Sequence, residues 1–451
     1  MTLVPPPPGP RRPFSPPPFA EGRLSSGIPV RAARWGKRPT VAVAVVFPGA
    51  GSAGDPPGRE GTAEVTAETF LGGTGKRTAR ELAAALDDLA AILEVSAGAD
   101  SSVARFHVLE EDLDEGLDLL AEVLTEASFP EDEFEKNRRR HIDTLAEQRS
   151  EPDFLGRERL LDRLYPGHPY GRFTATEPGL RALTRDDVTR CAAERFPLAN
   201  ATLLVAGAAD PERLLEAAER AFGGLAATPS PPPAPIRPPC DLVDFTIHLV
   251  NRPGSVQTNF LFARPALPRR HPRYVTALVA NQSLGGGASS RLFHVLREER
   301  SLTYGAYSNL SPRVAAGHFA AAIDCRTEVT SEALDGLLSL IRVYAEEGPT
   351  EAEHVRSVKN LLGTFVLGRE TPGAILQDEV TRLLHGLPDD EFATWRDRVA
   401  AVTRFQARDA ARDLFAPSVG VLAAVGDAAT IRPVLERFGD VTLWDSDGPR
   451  R

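Results

Sequence analysis

Residues 285–308 read GGGASSRLFHVLREERSLTYGAYS. The glycines from Gly285 to Gly287 break any preceding helix. Leu292, Phe293 and Leu296 then recur at helical spacing, so a short amphipathic helix is expected to pass through Arg297 into Ser301-Leu302-Thr303. From Tyr304 the period changes to two. Tyr304, Ala306 and Ser308 alternate with Gly305 and Tyr307, which reads as the start of a strand. In an arbitrary sequence Arg297 is a surface residue of an REER run and Tyr304 a half-buried strand residue. No GK[ST] follows the glycines, so they form no P-loop, and Ser289-Ser290 lacks a G-x-S-x-G context.

The chain has 451 residues, more than one ordinary core can use, so two or more domains are expected. Its net charge of −10 argues against a nucleic-acid partner. No run approaches the roughly 18 consecutive apolar residues that a membrane span needs. Cys191, Cys240 and Cys325 are odd in number and far apart, which argues against a disulfide framework. The N-terminus (PPPPGPRRPFSPPPF) lacks an apolar h-region, so the cytoplasm is the default compartment, with the periplasm left open.

Residues 1–25 read as a Pro-rich disordered tail. A strand is expected over 39–47, helices over 60–71 and 78–91, strands over 92–98 and 102–109, and helices over 112–126 and 130–149. GAGSAG (49–54) follows a strand, but Asp55-Pro56-Pro57-Gly58 comes next instead of a helix, which argues against a dinucleotide site. RRRH (138–141) reads as a charged helix face and His168 in YPGHPYGR as a turn residue. ATPSPPPAPIRPP (227–239) is a linker, and at roughly 3 Å per residue its extended geometry spans ~40 Å. It separates domains at 26–226 and 240–445. The second repeats the first. Thr184 and Thr403, Phe196 and Phe415, Gly207 and Gly426, and Pro130 and Pro349 each stand 219 residues apart. Strand hairpins beside long helices in each half give an α+β duplication, each domain an antiparallel sheet with helices packed mainly on one face.

The 285–308 string resembles the C-terminal signature of insulinase (pitrilysin-like) zinc peptidases, GGG-x-SSRLF-x-x-(I/L)RE-x-R-x-L-x-Y. That family is also a duplicated α+β protein, and the resemblance runs from about residue 25 to 440. It implies that Arg297 and Tyr304 face a zinc across a cavity and hydrogen-bond the substrate backbone and the oxyanion. The residue types suit this, since a guanidinium presents a fixed fork of donors and a phenol one more.

The same resemblance implies a zinc helix of pattern G-x-A-H-x-x-E-H-x-x-x-x-GT, and GTAEVTAETFLGGT (61–74) aligns with it without gaps. Glu64 stands at the first histidine, Ala67 at the catalytic glutamate and Glu68 at the second histidine. The distal ligand position, counted back from Glu151-Pro152, falls on Thr144, with Asp143 turned about 100° away on the helix. Two carboxylates without imidazole are a poor set for zinc, and Ala67 cannot take a proton from water. No two of the nine histidines lie within four residues, so no local pair replaces the lost one.

The expectation is a non-catalytic subunit, inactive alone, that binds no cofactor of its own. It lends Arg297 and Tyr304 to a homologous partner that carries HxxEH and zinc, and the heterodimer cleaves a peptide or unfolded protein. The alternative from another class is a purely structural or binding member with no part in proteolysis. A third reading, an active peptidase, requires metal held by Glu64 and Glu68.

Overall fold

The computed structural model describes residues 13–225, 231 and 234–446. Twelve strands carry it: β1 (Ala20–Arg23), β2 (Pro29–Arg34), β3 (Thr40–Pro48), β4 (Ile92–Ala97), β5 (Ser101–Leu109), β6 (Thr202–Gly207), β7 (Phe245–Asn251), β8 (Gln257–Ala266), β9 (Thr303–Pro312), β10 (Gly317–Arg326), β11 (Gly420–Gly426) and β12 (Val441–Asp445). They form two six-stranded sheets, ordered β1-β2-β6-β3-β5-β4 and β12-β7-β11-β8-β10-β9. From the second strand inward the two orders are the same, as the 219-residue repeat implies.

Each sheet is mixed, not antiparallel throughout. β2 runs parallel to β6, and β7 runs parallel to both β11 and β12. In each half the last long strand returns after a series of helices and slots between the half's earlier strands, which leaves it parallel to one neighbour and antiparallel to the other.

β3 shows how the halves join. Val41, Val43, Val45 and Phe47 point into a core shared with the helices of their own half. Ala42, Ala44 and Val46 point to the other face, where Leu376 and Val380 of the second half's helix Pro372–His385 cover them. The second sheet is treated the same way. Leu261, Ala263, Val421 and Ala423 pack on Leu160, Leu161 and Leu164 of the first half's helix Pro152–Leu164. Most helices thus lie on one face, as expected, while each half lends one helix to the other's open face. Polar contacts reinforce the junction. Tyr170 donates its hydroxyl to Asp100 at 2.5 Å and accepts from the Ala315 amide at 3.1 Å.

The Pro-rich tail needs correcting. Residues 1–12 lie outside the described residues, but the rest is part of the fold. Phe14 packs edge-on to both Trp35 and Phe365, and β1 pairs antiparallel with β2. Burial of an aromatic ring outweighs the extended bias of the surrounding prolines. Of the linker, residues 227–230, 232 and 233 lie outside the described residues. The rest is tied to the first half: Asn200 donates to the Pro231 carbonyl at 3.2 Å, and His168 Nε2 lies 2.8 Å from the Arg237 carbonyl oxygen.

Candidate functional site

The first candidate centres on helix Thr62–Thr69. The GAGSAG run folds into a loop with a single tight turn at Ser52–Gly54. Asp55 then accepts hydrogen bonds from the Gly61 and Ala63 amides at 3.0 and 3.1 Å, which satisfies two N–H groups at the helix start. Every residue of this helix is buried except Glu64 and Glu68, which are half-buried. Both line a cavity of about 540 Å³ between β4 and helix Glu131–Gln148.

Opposite them the long helix presents Arg140 and His141. Arg140 hydrogen-bonds Glu68, and His141 Nε2 lies 3.1 Å from the same carboxylate. Burial raises the Glu68 pKa, but the bonds and charges of His141 and Arg140 outweigh it and hold the group below the usual carboxylate value. Glu64 has no such partner. Burial, the largest influence, together with the nearby Asp55 and Glu68 charges, holds its pKa up against the His141 charge.

Sequence reasoning read 138–141 as a charged face and missed this contact. Its signal was the position of His141, one helical turn before Thr144. Thr144 itself is exposed and does not line the cavity, nor does the buried Ala67. The donors present do not match a two-histidine zinc site, because one carboxylate is shared by a guanidinium and an imidazole and the other is destabilised as an anion. Among the described residues, no three His, Cys, Asp or Glu side chains are grouped to hold a metal.

The second candidate is the 285–308 stretch, where most of the string has structural work. A Cβ on Gly285 would lie 2.3 Å from the Ser308 amide, so only glycine lets the turn approach β9. Asn281 clamps that approach by exchanging bonds with Ser308, 2.8 Å from its hydroxyl and 3.2 Å to its carbonyl. Arg291 grips Glu353 through two bonds of 2.6 and 2.9 Å. Leu292, Phe293, Leu296 and Leu302 are buried.

Between these anchors the backbone departs from regular geometry three times. The expected helix is regular only over Arg291–Phe293, and then winds as a π-helix over His294–Glu299, with Arg300 N bonded to Val295 O at 3.0 Å. Ser301 sits at φ 51°, in the left-handed region. The pairing of β9 with β10 then slips, so that Thr303 faces Cys325 and Ala306 faces Ile323, leaving Tyr304-Gly305 as a bulge opposite Asp324. The bulge overturns the expected alternation. Ala306 and Ser308 are buried, while Tyr304 is 88% exposed.

Arg297 is exposed too. Among the described residues its guanidinium makes no ion pair or hydrogen bond, and it lies over the Phe293 ring, 4.6 Å from the centroid. Its acidic neighbours Glu298 and Glu299 are taken by His294, at 2.7 and 3.2 Å. No hydrogen bond, ion pair or ring contact among the described residues joins Glu64, Glu68 or His141 to Arg297 or Tyr304.

Two family models divide the chain. That described as "Insulinase (Peptidase family M16)" matches residues 33–177, and "Peptidase M16 inactive domain" matches 182–361. The chain belongs to the insulinase family. Among curated relatives, an uncharacterized zinc protease of Streptomyces coelicolor is 26% identical over 85% of this chain and 84% of its own length. A second, from Bacillus subtilis, is 24% identical over 74% and 81%. Solved structures share the fold. A peptidase M16 inactive domain from Pseudomonas fluorescens aligns with TM-score 0.84 at 23% identity, covering 91% of this chain and 98% of its own. A protease from Helicobacter pylori gives 0.85 at 18%, covering 91% and 99%. Among the described residues no helix is long and apolar enough to cross a membrane.

Proposed function

We propose that this chain is a non-catalytic insulinase-family subunit. It takes no zinc itself and contributes Arg297 and Tyr304 to a peptidase site completed by a homologous chain bearing HxxEH and zinc. One observation carries the reading. The Arg297 and Tyr304 side chains are exposed and make no hydrogen bond or ion pair among the described residues, and they stand on irregular backbone between the packed and clamped anchors Gly285, Arg291, Leu296 and Ser308. Such irregularities carry strain that the surroundings must hold in place, and they cluster where a side chain has to be aimed. Structural duties explain Gly285, Arg291 and Leu296 equally well in a purely structural subunit. They explain neither Arg297 nor Tyr304.

The role follows from the donors. Arg297 supplies a fork of N–H groups and Tyr304 an O–H to the carbonyl oxygen of an extended peptide, and they bind more strongly as negative charge grows on that oxygen. At the 62–69 helix, the Glu68–Arg140–His141 contacts stand where the family's metal helix needs two neutral imidazoles, and Ala67 offers no base.

The test is affinity capture of the tagged chain, followed by peptidase assay of the captured complex and of the chain alone. The expected result is an HxxEH-bearing chain of similar size in about equal amount, with cleavage by the complex and none by this chain alone. Cleavage by this chain alone, or capture of nothing but itself or an unrelated assembly, overturns the reading.

A further inference from the structure

We propose that Phe293 and Tyr307 form an aromatic shelf that aims Arg297 while leaving its donors free. The proposal rests on Arg297 being a ligand-binding residue. Phe293 is 3% exposed, and the Arg297 guanidinium carbon lies 4.6 Å from its ring centroid. Tyr307 packs on the same ring, centroids 5.5 Å apart. It does so by lying across Gly305, where a Cβ would fall 2.6 Å from Tyr307 Cε2. Gly305 is thus required by the shelf, and its place in the bulge sets Tyr304 outward beside it.

The chemistry explains why a ring is used. Arg291 and Arg369 are held by bidentate carboxylates, Glu353 and Asp378. Such a partner fixes a guanidinium but consumes its fork. An aromatic face attracts the cation through its quadrupole and leaves all five N–H groups available. The carboxylates close enough in sequence to compete, Glu298 and Glu299, lie against His294 and not against Arg297. The ligand is therefore an oxygen acceptor, a peptide carbonyl or carboxylate, that meets an undiminished fork.

Two readouts test this in the full chain. The first is the Arg297 Nε–Hε resonance in protein labelled with ¹⁵N-arginine, assigned by its loss in Arg297→Lys. A ring-current shift is expected in the wild type and in Phe293→Tyr, lost in Phe293→Leu and altered in Gly305→Ala, which pushes Tyr307 aside without touching Phe293 or Arg297. An unshifted wild-type resonance, or one indifferent to Phe293→Leu, overturns the shelf.

The second is turnover by the assembled peptidase. Phe293→Leu and Gly305→Ala should each lower kcat roughly two- to fivefold, about 0.5–1 kcal/mol at ~1.4 kcal/mol per tenfold, with KM little changed and with Phe293→Tyr regaining most of the loss. If Arg297→Ala abolishes turnover while Phe293→Leu and Gly305→Ala match the wild type, the shelf is wrong and the peptidase reading stands. If Arg297→Ala itself leaves turnover intact, the peptidase reading falls, and the resonance alone decides the shelf.

Discussion

Arg297→Ala separates catalytic from structural arginines in one stretch of chain. In the folded chain Arg297 loses only its contact with the Phe293 face, about 0.5–1 kcal/mol at an exposed position. For a unit of about 200 residues that moves Tm by a few degrees at most. Arg291, six residues earlier, is the control. Its side chain and that of Glu353 are 12% and 15% exposed, so Arg291→Ala leaves a largely buried carboxylate unpaired and costs about 3–5 kcal/mol. In the proposed complex with an HxxEH-bearing partner the order is expected to reverse. Removing one preorganised donor to a developing oxyanion costs roughly 10²–10³ in kcat. The assay is cleavage of a fluorogenic peptide by the complex, beside thermal melts and size-exclusion profiles of each variant. The expected result is an Arg297→Ala dimer that is intact, folded and nearly inactive. Turnover within threefold of wild type, or a melt that drops as far as that of Arg291→Ala, refutes the assignment.

The two carboxylates of the 62–69 helix should respond to pH with opposite signs. Burial raises the Glu64 pKa above its ordinary 4.5, so the native state binds the extra proton and wild-type stability falls as pH rises through the window above 4.5. Glu64→Gln should therefore raise Tm at pH 7, with the gain vanishing below pH 4.5. Glu68 is held below 4.5, so its contribution is present above that value and is lost as pH falls through the native pKa. Glu68→Gln should lower Tm at pH 7 and converge with the wild type in acid, and matching melts at pH 7 would show that the Arg140–His141 contacts do not form. Calorimetric titration of the purified chain with zinc should show no one-to-one binding, and a chelator should leave Tm unchanged. Stoichiometric uptake lost in the Glu64→Ala, Glu68→Ala double variant would favour a carboxylate metal site instead. Tyr170→Phe removes a bridge between the halves that includes a bond to a carboxylate, and should cost about 1.5–3 kcal/mol in denaturant unfolding.

The duplication is legible in the chain alone, because a constant 219-residue spacing survives in the anchors that punctuate helices and strands. So are most element positions. Apolar periodicity and the glycines and prolines that punctuate it are written within a few residues of where they act. The altered zinc helix was legible for the same reason, since three positions within five residues, Glu64, Ala67 and Glu68, show which donors are present. The features that could not be read this way involve partners distant in sequence. The capture of Glu68 by Arg140 and His141 crosses more than seventy residues. The exchange of helices 152–164 and 372–385 between the halves leaves no mark in either helix beyond an apolar face. The outward aim of Tyr304 depends on a slip in pairing with β10, and strand alternation read from one chain segment carries no record of its neighbour's register. Donor identity is a local property of a sequence, whereas whether a donor is spent or free depends on contacts that the fold alone assembles.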